Sequence, residues 1–146
     1  MHKNITLFFI FIFLVLSGCG DRRTEVSGTV TLDGKGLKDI TVLLQPVTDT
    51  ALTPEAAFGK TNEQGKFSLS LVNSKKYGVV PGEYAVFINW NDPNPPPENQ
   101  PPNPCPYKIP SSAKNGSFRY VIETGKKQNV DFNLSDFPDT ETQPPN

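Results

Sequence analysis

The sequence predicts a single all-β domain, a sandwich of about seven strands that follows a cleaved N-terminal signal. Apolar and polar residues alternate along most segments between residues 25 and 135, and turn residues separate these segments. After residue 19 no segment shows a helical repeat. Short, evenly spaced strands of this kind are typical of two packed β-sheets, and 146 residues leave room for one such domain.

Composition excludes several classes of function. A net charge of −1 gives no basic surface for nucleic acid. His2 is the only histidine, and it disappears if the N-terminus is removed. The mature chain would then lack Ser-His and Cys-His catalysis and histidine metal ligands. Carboxylate or lysine chemistry remains open as an alternative, but we expect no enzyme, no catalytic residues, no metal and no cofactor.

The N-terminus reads as a secretory signal. Lys3 precedes an apolar run over residues 5–16 that only Thr6 interrupts. A membrane-spanning helix needs about 20 apolar residues, so this run is short for a permanent span. Its length matches the apolar core of a signal peptide.

The last residue of this run and the three that follow, Leu16-Ser17-Gly18-Cys19, resemble the bacterial lipobox. The resemblance implies cleavage between Gly18 and Cys19 and lipidation of Cys19 with a diacylglycerol thioether and a further acyl chain such as palmitate. Residues 1–18 would then be a lipoprotein signal peptide and residues 19–24 a lipidated tether. The alternative is an ordinary secretory signal with an incidental cysteine. The lipobox predicts a cell-envelope protein anchored to a membrane, and Gly20 favours the outer membrane over the inner.

A lipidated Cys19 leaves Cys105 without a partner in the chain, which excludes an intramolecular disulfide. Cys105 lies between prolines in PPNPCPY. We expect it to pack within a loop, and the alternative is an exposed thiol that pairs with another protein.

The first two strands are EVSGTVTL and DITVLLQP. Gly28, in the middle of the first, predicts a bulge or a close backbone approach. Asp33-Gly34 predicts a tight turn, and Pro46 ends the second strand.

Residues 47–57 read as a polar loop. The next predicted strand, residues 67–71, follows a turn in which Gly65 takes a positive φ. Pro81-Gly82 predicts a type II turn with Gly82 at positive φ. The strand after it, through Trp90, is apolar on both faces and therefore predicted to be central.

The segment 91–110 is a proline-rich loop, because nine of its twenty residues are proline. SFRYVIE and NVDFNL supply the last strands, and residues 136–146 are predicted to be a disordered tail. The predicted core is Val26, Val30, Ile40, Val42, Leu44, Phe67, Leu69, Tyr84, Val86, Ile88, Phe118, Tyr120, Val130 and Phe132.

Three segments in this order, VSGTVTLDGKGLKDITVLLQP, GKTNEQGKFSL and VVPGEYAVFI, resemble carboxypeptidase regulatory-like domains. That family has a transthyretin-like, immunoglobulin-like sandwich, which the resemblance implies for residues 25–135. Asn62 stands where the family usually has aspartate, and the proline-rich loop has no counterpart in the family. The family includes accessory modules and small bacterial lipoproteins, so the resemblance implies no catalytic residues. The leading hypothesis is a non-enzymatic structural or protein-interaction module.

Aromatic residues suggest a second hypothesis, a surface module that binds carbohydrate or peptide. Trp90, Tyr107 and Tyr120 are the candidate ligand-binding residues, and the proline-rich loop is a candidate ligand for a partner's groove. The alternatives are that Trp90 caps the core and that the loop is a stiff spacer. Predicted partners are thus the membrane, through the lipid anchor, and an envelope protein or glycan.

Oxygen-bearing residues near turns are candidate calcium ligands, because hard cations need several oxygens on a tight loop. The candidates Asp33, Asn62 and Glu63 lack the spacing of an EF-hand. Turn formation explains these residues better, so no metal site is predicted.

Overall fold

A computed structural model describes residues 23–47, 54–125 and 127–139. The predictions for the signal peptide, for Gly18 and Cys19, for the tether up to Arg22 and for residues 140–146 lie outside these ranges. The described residues confirm the all-β sandwich, with ten strands instead of about seven. In chain order the strands are β1 (Glu25–Leu32), β2 (Lys35–Gly36), β3 (Ile40–Pro46), β4 (Ala57–Lys60), β5 (Lys66–Ser68), β6 (Ser70–Leu71), β7 (Gly82–Trp90), β8 (Phe118–Ile122), β9 (Lys127–Asn129) and β10 (Phe132–Asn133).

The first sheet is built around β1. Its antiparallel neighbours are β2 and β5, and its parallel neighbours are β9 and β10. The β1–β2 hairpin turns through Asp33 and Gly34, whose φ angles of 51° and 75° are those of a type I′ turn. The predicted Asp-Gly turn is therefore confirmed.

The second sheet is antiparallel throughout, in the order β6-β4-β3-β7-β8. β7 has a neighbour on each side, as predicted for a central strand. Tyr84, Val86 and Ile88 alternate along it with their side chains buried against the first sheet. Pro46 is the last residue of β3, which agrees with its predicted role.

The segment predicted as one strand over residues 67–71 is divided between the two sheets. β5 pairs with β1, whereas β6 pairs with β4. Leu69 lies between them, buried, and its N–H donates to the carbonyl of Val26 at 2.9 Å. Gly65 in the preceding turn has a φ of 77°, as predicted. The chain thus crosses between sheets here and closes one side of the sandwich.

Gly28 is the site of a close backbone approach, as predicted. A Cβ atom at this position would lie 1.9 Å from the carbonyl oxygen of Val130. Ser27 pairs with Asn129 and Val30 with Phe132, so the register is the same before and after this point. No residue is inserted, and the glycine is required because another backbone occupies the space of a side chain.

Two local predictions are wrong. Gly82 is not in a type II turn: its φ is not positive, and it pairs with Ile122 as the first residue of β7. β4 falls partly within the predicted loop 47–57. Its Gly59 weakens the strand pattern but admits the carbonyl oxygen of Ser68, which would lie 2.4 Å from a Cβ.

The chain after β7 also departs from the sequence analysis. A one-turn helix, α1 (Ser111–Lys114), lies beside β7 and buries Ala113. A 3-10 helix (Leu134–Asp136) follows β10, and Phe137 then packs against the core. The folded part therefore continues to Asp139, and residues 136–139 do not belong to a disordered tail.

Twelve of the fourteen predicted core residues are buried. The exceptions are Phe118, which is 39% exposed, and Tyr120, which is half-buried. Both lie on β8, the edge strand of the second sheet, where one flank of each side chain is left uncovered.

Candidate functional site

Trp90 and Tyr107 lie at the same end of the sandwich, which we call the loop end because the proline-rich loop begins there. Trp90 closes β7 and pairs with Ile40 on β3. Both rings are half-buried and pack against the core. Tyr107 is also near Lys38, in the connection that leads into β3. The two rings therefore present only part of their surface to a ligand.

Tyr120 does not share this site. It pairs with Tyr84, and Trp90 lies six positions further along β7. At the rise of an antiparallel strand this is about 20 Å. Tyr120 instead packs edge-on to Phe132, with 6.2 Å between ring centroids. The three candidate aromatic residues do not form one platform.

The proline-rich loop is closed on itself by side-chain hydrogen bonds. The amide of Asn103 donates to the Asp92 carboxylate at 2.9 Å and to the Asn94 carbonyl at 3.0 Å. The N–H of Asn94 donates to the other Asp92 oxygen at 2.8 Å. Nearly all residues between 93 and 106 are exposed. The loop is therefore a defined surface at the loop end.

Cys105 lies in this loop and is exposed. Its Sγ is 3.2 Å from the carbonyl oxygen of Tyr107. The expectation that it would pack within the loop is thus wrong, and the thiol is accessible.

A cleft of about 260 Å³ opens beside β8 and β10. Phe118, Phe132 and Phe137 line it, and the Phe118 ring centroid is 5.0 Å from that of Phe137. Asp131 on its rim is already engaged, because one carboxylate oxygen accepts from the N–H and the hydroxyl of Thr29. The sequence does not reveal this cleft, because Phe137 lies in a segment whose composition is that of a tail.

The other end of the sandwich is the tether end, where Thr24 leads into β1. Thr24 is 1% exposed and exchanges two backbone hydrogen bonds of 2.8 Å with Val79. Its hydroxyl donates to the carbonyl of Glu123 at 2.7 Å and accepts from the N–H of Gly125 at 3.2 Å. Because these groups come from two separate loops, Thr24 fixes the point at which the chain joins the domain.

A groove of about 470 Å³ lies next to Thr24. Its walls combine apolar and charged side chains: Arg23, Glu25, Val26, Ser68, Leu69, Tyr77 and Gly78. Tyr77 is 79% exposed and stands at its edge.

The residues weighed as calcium ligands have local partners. Asn62 Oδ1 accepts from the N–H groups of Gln64 and Lys66 at 2.9 and 3.0 Å, which closes the turn. Glu63 forms an ion pair with Lys38, and this contact raises the pKa of Lys38. Asp33 accepts from Ser135 at 2.9 Å. Across the described ranges, no three His, Cys, Asp or Glu side chains form a group suited to a metal ion.

Besides Lys38, two titratable groups among the described residues have clearly shifted pKa values. Burial raises the pKa of Tyr84 to about 12, and its hydroxyl donates to the Val80 carbonyl at 2.7 Å. Hydrogen bonding lowers the pKa of Glu55, first through the N–H of Ser74 and also through that of Asn73. Both groups stabilise local structure, and neither lies in a cleft described above.

Within the part of the chain that the structure describes, no helix is long and apolar enough to cross a membrane. Comparison of the chain with protein-family models, with curated proteins and with solved structures finds no match.

Proposed function

We propose that this protein is a lipoprotein of the bacterial cell envelope, lipidated at Cys19, with its sandwich outside the cytoplasm as a non-enzymatic structural or protein-interaction module. The observation that carries the proposal is Leu16-Ser17-Gly18-Cys19, directly after an apolar run and five residues before the firmly held Thr24. An acyl chain contributes roughly 0.8 kcal/mol per buried methylene, so two or three chains anchor a protein stably.

The dimensions of the domain support an oriented module. Five residues of extended chain from Cys19 reach Thr24 over at most about 18 Å. β7 has nine residues and is about 30 Å long. Because the tether is shorter than the sandwich, the tether end stays near the bilayer. The proline-rich loop leaves β7 at the opposite end, where an envelope partner can reach it.

The fold is compatible with the resemblance to carboxypeptidase regulatory-like domains. The motif VVPGEY places Tyr84 so that its hydroxyl returns to the carbonyl of Val80, four residues upstream. A buried tyrosine that bonds to backbone a few residues earlier is a recurring device of β-sandwiches. Asn62 closes its turn as an aspartate would, since it uses only its side-chain oxygen. Membership of that family remains part of the proposal.

The anchor is tested by growing cells with labelled palmitate and recovering the full-length protein. The native protein should incorporate label, and Cys19→Ser should abolish it. Cys105→Ser is the matched control, because it removes the other cysteine and should retain full labelling. Label that persists in Cys19→Ser would refute the proposal. Density separation of the two membranes tests the expected outer-membrane location.

A second candidate is binding of carbohydrate or peptide at the loop end. The observation that favours it is the closed, exposed proline-rich loop beside Trp90 and Tyr107. Trp90 is the only tryptophan, so its fluorescence reports directly on this site. A saturable change in emission with a soluble glycan or peptide would support binding. A glycan array and a peptide library that both give no signal would reject it.

A further inference from the structure

Tyr77 is an unusually exposed aromatic side chain, at 79%, and it lies at the tether end. Its backbone bridges to Ser70, and the next residue, Gly78, packs against the backbone of Thr24. Exposing a ring to water forgoes the favourable free energy of burial. The described residues leave most of the Tyr77 ring uncovered.

Two further apolar side chains are exposed at the same end. Val121 is 57% exposed and lies two residues before Glu123, which accepts the Thr24 hydroxyl. Val47 is 39% exposed, and its N–H donates to the backbone carbonyl of Glu83. Glu83 is also the residue that pairs with Val121. Among the described residues, three of the four exposed large hydrophobic side chains thus lie at the tether end, and the fourth, Phe118, lines the cleft.

The charges at this end are mixed. Lys76 is exposed, Lys127 is 3.6 Å from Glu25, and Lys75 lies over the Phe58 ring, with Nζ 5.1 Å from its centroid. Arg23 adds a cation in the groove, and three further carboxylates also lie here, on Glu55, Glu83 and Glu123. The balance gives no preference for anionic lipid, and it differs from the polybasic surface that would indicate one.

We propose that the tether end docks on the bilayer that holds Cys19, with Tyr77 at the level of the lipid headgroups. This proposal rests on the lipid anchor proposed above. Tyrosine suits a membrane interface because its ring is apolar and its hydroxyl stays in water. Val121 and Val47, exposed at the same end of the sandwich, extend the contact.

The short tether makes a weak contact sufficient. A domain held within about 18 Å of the surface has a high effective concentration of lipid, so a few side chains can keep it docked. Docking through this end would point β7 away from the membrane. Trp90 and the proline-rich loop would then stand well clear of the surface.

The test uses full-length protein from bacterial membranes, reconstituted in phosphatidylcholine vesicles with or without bromine on the acyl chains near the headgroup. Bromine quenches tryptophan only on contact. The native protein reports from Trp90 at the loop end, and Tyr77→Trp adds a second tryptophan at an exposed position, where the fold should tolerate it. We expect brominated lipid to leave native emission unchanged and to remove the share of emission that Tyr77→Trp adds.

Mass spectrometry of the same samples separates docking from anchoring. Acylated protein in which Tyr77→Trp emission is not quenched would overturn the docked end and leave the anchor intact. Equal quenching of Trp90 and Tyr77→Trp would also overturn it, because the domain would then lie flat. Protein that is neither acylated nor bound to vesicles would overturn both proposals.

Discussion

Because the hydroxyl of Tyr84 is buried, the free energy of unfolding of this sandwich should decrease at alkaline pH. Tyr84 is fully buried and donates to the Val80 carbonyl at 2.7 Å. Tyr84→Phe keeps the ring and removes only this hydrogen bond. A net hydrogen bond contributes about 1 kcal/mol, so the variant should be less stable by that amount at pH 7.

The sign of the pH effect follows from the pKa. Burial raises the folded-state pKa of Tyr84 from 10.0 to about 12, so between these values the folded state binds more protons than the unfolded state. Stability due to this group is complete below pH 10 and is lost as pH rises towards 12. At pH 11 the loss is about 1.4 kcal/mol. Tyr84→Phe lacks the group and escapes this loss.

Urea unfolding of both proteins at several pH values from 7 to 11 measures the effect, because the difference isolates Tyr84 from other titrating groups. The native protein should be more stable at pH 7, and the two should become about equally stable near pH 11. Tyr77→Phe is the matched control: its ring is 79% exposed, so its stability should follow that of the native protein. A difference between native protein and Tyr84→Phe that stays constant over the whole range would refute the reasoning.

Three further predictions concern single positions. Gly28→Ala should lower the free energy of unfolding by about 2 kcal/mol or more, because its Cβ would meet the Val130 carbonyl, and normal stability in urea would contradict this. Asn62→Ala should lower stability by about 1 kcal/mol, since two N–H groups lose their acceptor, whereas Asn62→Asp should retain it in the same assay. The pKa of Glu55, measured by NMR, should lie below 4.5, because the Ser74 N–H stabilises the carboxylate. The contribution of Glu55 to the free energy of unfolding should vanish as pH falls through that pKa. Glu55→Gln should not show this decline.

Local signals in the sequence predicted much of the framework. The positive φ angles of Gly34 and Gly65, the close approach at Gly28 and the end of β3 at Pro46 each follow from the chemistry of one residue. Gly82 is the counterexample. The Pro-Gly pair also suits a turn, but Gly82 pairs with Ile122 and is therefore the first residue of β7.

Features that depend on distant segments could not be predicted in this way. Residues 67–71 alternate as one strand, and only their pairing partners divide them between β5 and β6: Phe67 pairs with Gly28 in one sheet, and Leu71 pairs with Ala57 in the other. Phe137 reads as part of a polar tail, and its burial depends on Phe118, 19 residues earlier. The cleft between them was missed for the same reason. Tyr107 packs against the same core as Trp90 only because the proline-rich loop folds back onto the sandwich.

The strand that carries the floor of the cleft passes close to Gly28. At Gly28 the Val130 carbonyl turns inwards, and the ladder between β1 and the C-terminal strands is interrupted. The N–H of Thr29 then finds its acceptor in the side chain of Asp131, at 2.9 Å, instead of in a backbone carbonyl. The register resumes at Phe132 because no residue has been inserted. Phe132 then packs edge-on to Phe118, with 6.3 Å between ring centroids, so the glycine in β1 leaves room for the backbone that leads to the floor of the cleft.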